Sequence, residues 1–211
     1  MTRATFDPAR LERVFVLGLG LSGTAAARLL RKRGIGVVAS DRRSAGEIGA
    51  DDLAGDPGVE LRLSDSSAEL PAGLDALVVS PGVGLDHPLL RAAASRGLPI
   101  VAEVELAWSF LAGSTGSDAT GVGITGSNGK STTSRLIEHV LRQMPGRVFY
   151  AGNERRSVQV LDVLADMQPS DRLVLEVSNR HLIDLEPHPW IGVVTNVLPN
   201  HLDEHGGDLA A

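Results

Sequence analysis

Two short stretches carry residues whose types and spacing suit phosphate chemistry. The first is TGSNGKST, Thr125 to Thr132, which stands directly before a helical pattern. Glycines let backbone N–H groups close around phosphate oxygens, and a following helix turns its positive end to the same point. Gly126, Ser127, Asn128 and Gly129 would form the cradle. Lys130 would supply a cation to the β- and γ-phosphates, and Ser131 a hydroxyl to a magnesium ion, with Thr132 beside it. The common phosphate loop places its first glycine six residues before the lysine. Ile124 holds that position here, so this loop is a shortened kind.

The second stretch is GLGLSG, Gly18 to Gly23, between the apolar run VFVL and the helical run TAAARLL. It fits G-x-G-x-x-G, and Asp41 stands about twenty residues on, where a carboxylate can take a ribose hydroxyl pair. That combination suits NAD. A uridine diphosphate sugar also carries a diphosphate and a ribose, so the glycines alone leave an NAD(P)-binding oxidoreductase and a nucleotide-sugar site both open.

These residues need elements to position them. Apolar runs of β type alternate with helical patterns. Strands are predicted at 13–17, 36–40, 59–63, 76–80 and 99–101, and helices at 24–33, 86–96 and 103–111. A small, polar stretch, AGSTGSDAT, follows at 112–120 and reads as a linker. The alternation then restarts. Strands are expected at 121–124, 147–150, 173–177 and 191–196, and helices at 130–143 and 158–166. Such alternation predicts parallel sheets with helices on both faces. The expected class is α/β: a Rossmann-like parallel-sheet domain over 1–112, a linker at 113–119, and a P-loop ATPase-like α/β domain over 120–211. Glu176 falls at the end of an expected strand of the second sheet, and Asn153 and His201 each follow one. That is the carboxyl edge at which α/β sites form.

Composition narrows the classes. Hydrophobic residues are 43% of 211, enough for a sizeable core, while the formal net charge of -6 argues against a nucleic-acid or acidic-membrane footprint. Aromatics at 3% leave few platforms for base stacking, and the absence of cysteine removes disulfides and thiolate metal sites. The charged N-terminal stretch MTRATFDPARLERV lacks the apolar core of a signal peptide, and no apolar run approaches the ~20 residues of a membrane helix. A cytoplasmic protein is the expectation.

GITGSNGKSTT resembles the ATP loop of the Mur ligases, the ATP-dependent amide ligases of peptidoglycan synthesis. Further stretches are similar to that family in order: DRR at 41–43, SPGVG at 80–84, AEVELAW at 102–108, AGN at 151–153, LEVSNRHL at 175–182 and TNVLPNHLDEHGG at 195–207. SNGKST joined to an N-terminal GLGLSG domain is most similar to the members that add D-glutamate to UDP-N-acetylmuramoyl-L-alanine. The resemblance implies ATP and Mg²⁺ as cofactors, an acyl phosphate intermediate, and ADP and phosphate as products.

It also implies roles. Lys130, Asn153, Glu176 and His201 would be catalytic, with Ser131, Glu176 and His201 on Mg²⁺. Gly20, Leu21 and Ser22 would hold the substrate's diphosphate, Asp41 and Arg42 its uridine end, and Ser80, Pro81 and Gly82 the opposite wall. The sequence departs from the family at Asn200, where an Asp is usual, and in GNERR and SNRHL. The family's third domain, which binds the incoming D-glutamate, has no counterpart in these residues. A central domain cut short, and a chain inactive by itself, are therefore expected. An NAD(P)-binding oxidoreductase and a non-catalytic nucleotide-binding fragment stand as the alternatives.

Overall fold

In the first run, Arg13–Leu17, every residue after the arginine is buried, as in a strand covered on both faces. The computed structural model describes residues 6–64, 69–84, 86–114, 120–152, 159–168, 170–178 and 189–199. In chain order the first half runs β1 (Arg13–Leu17), α1 (Leu21–Lys32), β2 (Gly36–Asp41), α2 (Ala45–Ile48), α3 (Asp51–Ala54), β3 (Val59–Leu63), β4 (Ala76–Val79), α4 (Pro88–Ser95), β5 (Ile100–Ala102) and α5 (Glu103–Ser114). The second runs β6 (Thr120–Thr125), α6 (Lys130–Leu141), β7 (Val148–Ala151), α7 (Val160–Asp166), β8 (Arg172–Glu176) and β9 (Ile191–Val194).

Two all-parallel sheets result, ordered β3-β2-β1-β4-β5 and β7-β8-β6-β9. Strand alternation sorts the first core. Val14 and Val16 point to one face, with Leu29 and Leu30 of α1 and Trp108 of α5. Phe15 and Leu17 point to the other, with Leu77, Leu89 and Ala93. The first cluster does not stop at the sheet: it continues through α1 and α5 into Leu161 and Leu164 of α7 and Leu173 and Leu175 of β8. The Trp108 ring lies against Gly121 and Gly123 of β6, where a Cβ would meet it. At the rim of this contact Lys32 Nζ meets Asp166 Oδ1 at 2.7 Å.

Each sheet reverses its strand order once, and each reversal sits beside a glycine loop. Chain connections leave β1 toward β2 on one side while β4 lies on the other; β6 likewise has β8 on one side and β9 on the other. The carboxyl ends of β1 and β6 therefore open into the crevices where doubly wound sheets take ligands.

Some boundaries differ from the sequence expectation. α1 begins at Leu21 rather than 24, because its N-cap is Gly20, which has no side chain to signal a cap. α5 runs to Ser114, into the stretch read as linker. α2 was not anticipated, although SAGE at 44–47 carries its signature: Ser44 N–H donates to Glu47 Oε2 at 2.9 Å in a capping box. β9 ends at Val194, and the side chains of Thr195 and Asn196 bond the loop after β6. Among the described residues, no helix is long and apolar enough to cross a membrane.

Candidate functional site

The loop between β6 and α6 turns on Gly129, which caps α6 in the left-handed region at φ 83°. A side chain there would be strained, so glycine fits the turn. The first intrahelical bond of α6 is Thr133 N–H to Gly129 carbonyl, at 2.9 Å. The amides of Lys130, Ser131 and Thr132 thus have no intrahelical acceptor and face the helix's N-terminal end. Lys130 curls back over the loop, with Nζ 2.7 Å from the Gly126 carbonyl oxygen and 3.3 Å from that of Ser127. An ammonium resting on neutral carbonyls can be drawn off by an anion at the same place. An open row of amides plus this cation fits a polyphosphate.

The loop is not free at every amide, as the sequence reading supposed. Ser127 N–H donates to the Asn196 carbonyl at 3.0 Å, and Asn128 N–H to Asn196 Oδ1 at 2.9 Å. These two amides hold the loop's shape, and the helix-start amides are the open ones.

Glu176 closes β8, opposite Ile124 of β6, so its carboxylate stands beside the strand that feeds the loop. It is 5% exposed, and Tyr150 of β7 donates its hydroxyl to Oε2 at 3.3 Å. Arg135 of α6 lies over the Tyr150 ring, 3.7 Å from its centroid. Tyr150 and Arg135 were not singled out from sequence. Tyr150 stands two residues before the AGN glycine, and nothing in its spacing signals a partner on another strand. Ser131 opens α6. Its hydroxyl and the Glu176 carboxylate are hard oxygen donors of the kind Mg²⁺ takes alongside phosphate and water. Among the described residues no three metal-ligating side chains cluster. Asn153, His201 and Asn200 lie outside the described residues.

The first loop is tied together by its own polar groups. Gly23 lets α1 close onto the turn: a Cβ there would run into the Gly18 carbonyl oxygen and the Ser80 hydroxyl. Ser80 Oγ donates to that carbonyl at 2.7 Å, joining the end of β4 to the loop. Leu21 is 69% exposed at the start of α1, Arg42 is exposed, and Pro81 and Gly82 lie exposed beyond Ser80.

One expectation needs correction. The expectation places Asp41 at the uridine end as a ligand. It is buried, and four hydrogen bonds occupy it: from Leu19 N–H at 2.7 Å, and from Arg43 through its backbone N–H at 2.9 Å, Nε at 2.9 Å and Nη2 at 2.8 Å. A carboxylate offers about four acceptor positions, so none is left over. The Arg43 side chain, with the two amides, holds its pKa down to about 2. Asp41 anchors the loop to the end of β2. Ser22, expected at the diphosphate, stands at the start of α1. Its hydroxyl donates to Gln159 Oε1 at 3.1 Å, just before α7, and burial pushes the nearby Glu103 carboxyl up. The side chain of Ser22 bridges the two sheets' layers, which leaves its helix-start amide for a ligand.

A hollow of about 900 Å³ lies elsewhere. Gly146, Arg147, Asp166 and Asp171 line it at the amino edge of the second sheet, away from both loops.

Comparison with known proteins follows this division. Residues 12–102 match the model of the Mur ligase MurD-like N-terminal domain, and residues 124–210 that of the Mur ligase middle domain. The UDP-N-acetylmuramoylalanine--D-glutamate ligase of Limosilactobacillus reuteri is 36% identical over 204 residues, 94% of this chain and 42% of that protein. The ligase of the same name from Acidobacterium capsulatum is 40% identical over 197 residues, 92% of this chain and 41% of the other. Among solved structures, UDP-N-acetylmuramate-alanine ligase MurC from Thermotoga maritima superposes with a TM-score of 0.60 at 19% identity, over 95% of this chain and 45% of that one. The chain thus spans about two fifths of the length of the curated relatives it matches.

Proposed function

The chain belongs to the Mur ligase family, carrying its MurD-like N-terminal and its middle domains, and from that premise we propose that it serves an ATP-dependent ligase of cytoplasmic peptidoglycan precursor synthesis. The reaction joins D-glutamate to UDP-N-acetylmuramoyl-L-alanine and yields ADP and phosphate. The observation that carries the reading is the pair of glycine loops, one at the switch point of each sheet, joined through one continuous core.

The N-terminal loop takes the uridine nucleotide. The amides at the start of α1, from Leu21 and Ser22 after Gly20, meet the diphosphate. Arg42 is the exposed side chain at the uridine end, and Ser80 to Gly82 form the far wall. An NAD site of this type relies on an acidic acceptor for ribose hydroxyls. Asp41 is fully engaged by Arg43 and Leu19, which weighs against NAD.

The second loop takes ATP, and Ser131 and Glu176 are the described residues that would hold Mg²⁺, with His201 as a further ligand. Mg·ATP supplies the phosphoryl group that converts the substrate carboxylate, a poor electrophile, into an acyl phosphate open to attack by an amine. Lys130 leaves its two carbonyls to neutralise the phosphate oxygens, and the amides of 130–132 orient them; fixed donors of this kind stabilise developing charge without reorganising. Tyr150 donates to Oε2 of Glu176, and Oε1 would be the oxygen available to hold Mg²⁺. Asn153 would orient the γ-phosphate or the acyl oxygen.

Calorimetric titration of the chain with UDP-N-acetylmuramoyl-L-alanine, UDP, NAD and Mg·ATP tests the reading. The uridine ligands and ATP should bind at separate sites and NAD should not. Tighter binding of NAD than of UDP would overturn it.

A further inference from the structure

The segment that leaves β9 grips the ATP loop through six hydrogen bonds, and one side chain makes two of them to a single residue. Asn196 Oδ1 accepts from Asn128 N–H at 2.9 Å, and Asn196 Nδ2 donates to the Asn128 carbonyl at 2.9 Å. The amide side chain therefore pairs with both polar groups of one backbone unit, much as a neighbouring strand would. Thr195 Oγ1 donates to the same Asn128 carbonyl at 2.6 Å, and Ser127 N–H donates to the Asn196 carbonyl at 3.0 Å. The Ser127 hydroxyl donates to the Leu198 carbonyl at 3.0 Å and accepts from Leu198 N–H at 2.9 Å. The fit is close: a Cβ on Gly126 would strike Thr195 Oγ1 and the Asn196 backbone.

We propose that Asn196 and Thr195 are positioning residues for ATP: they hold the loop 126–129 in its phosphate-accepting form. A glycine-bearing loop has many conformations open to it, and ordering it costs entropy that would otherwise fall on the ligand. The clamp meets that cost before ATP arrives. It occupies the Ser127 and Asn128 amides, which point away toward 195–198, and so fixes where the amides of 130–132 and the Lys130 ammonium stand. Thr195 and Asn196 are only half-buried, and the side-chain bonds are to the loop, not to the core. Their removal should therefore loosen the loop more than it unfolds the domain. The proposal rests on the reading of 125–132 as the ATP loop.

The test pairs two measurements on the chain with Asn196→Ala, Thr195→Val and Thr195→Ser. In amide hydrogen exchange without ligand, Asn196→Ala should speed exchange at Asn128 at least roughly fivefold, as expected when a bond of about 1 kcal/mol is lost. In calorimetry with Mg·ATP, the same variant should bind at least roughly tenfold more weakly, because two bonds to Asn128 are gone. Thr195→Ser should bind as the wild type does, and Thr195→Val more weakly, since the two differ in the hydroxyl that reaches Asn128. A loss of packing alone would give the opposite order, because valine keeps the volume. Unchanged ATP affinity in Asn196→Ala, with the wild type binding normally, overturns the positioning role. No ATP binding by the folded wild type overturns the ATP-loop reading and this role with it; the exchange rates still show whether the clamp orders the loop.

Discussion

Replacing Asp41 with asparagine should destabilise the N-terminal sheet in a pH-dependent way, and the size can be worked from its contacts. The folded carboxylate is held at about 2 against an ordinary 3.8, first by the Arg43 side chain and then by the Arg43 and Leu19 amides. A lowered folded value means stability that is full above the unfolded pKa and lost as pH falls through the folded one. The gap corresponds to about 2.4 kcal/mol at neutral pH, using about 1.36 kcal/mol per pKa unit. The Arg43 side chain is 40% exposed, so water screens part of that attraction and about 1–2 kcal/mol is the better expectation. The asparagine side chain would keep an oxygen for Leu19 N–H but turn an NH₂ group toward the Arg43 guanidinium. Urea unfolding of wild type and Asp41→Asn at pH 5 and pH 2.5 isolates the effect, because the other carboxylates paired to arginine, Asp56 and Asp171 among them, titrate equally in both. The difference between the two proteins should shrink by more than half at the lower pH. A difference that stays constant would show that Asp41 acts through packing and not through its charge.

Two further outcomes follow from the loops. Lys130→Ala should weaken Mg·ATP binding at least roughly tenfold, since it removes a charge-assisted contact to phosphate. UDP affinity measured in the same titration should not change; wild-type ATP binding would remove Lys130 from the site. Gly23→Ala should lower stability by about 1–3 kcal/mol, since the new methyl meets the Gly18 backbone and displaces the Ser80 hydroxyl. UDP binding should weaken with it, as read by thermal melts with and without UDP; an unaltered melting temperature would show that α1 can move off the turn.

What was legible in the sequence was whatever is local. Apolar runs placed the strands, because a strand buried on both faces is written mostly in Val, Leu, Ile, Phe and Ala, as β1 is after its arginine. Glycine spacing placed both loops, since close approach and left-handed turns leave a mark at single positions such as Gly23 and Gly129. What was hidden is how far-apart side chains use one another. GLGLSG followed by Asp41 reads as a ligand-binding set, yet Arg43, two residues further on, closes the carboxylate. A local motif states which atoms are near and cannot state which are already satisfied. Thr195 and Asn196 looked like the end of a strand because both are compatible with extended backbone. Thr195 N–H still donates to Thr125 at the end of β6, while both side chains turn to the Asn128 backbone some seventy residues earlier. The same limit hid the contact of Tyr150 with Glu176, which joins two strands paired in the sheet but separated along the chain by α7. The residues that sequence missed are thus those that orient the residues it found. In a site that works through fixed dipoles and cations, orientation is the part that topology has to supply.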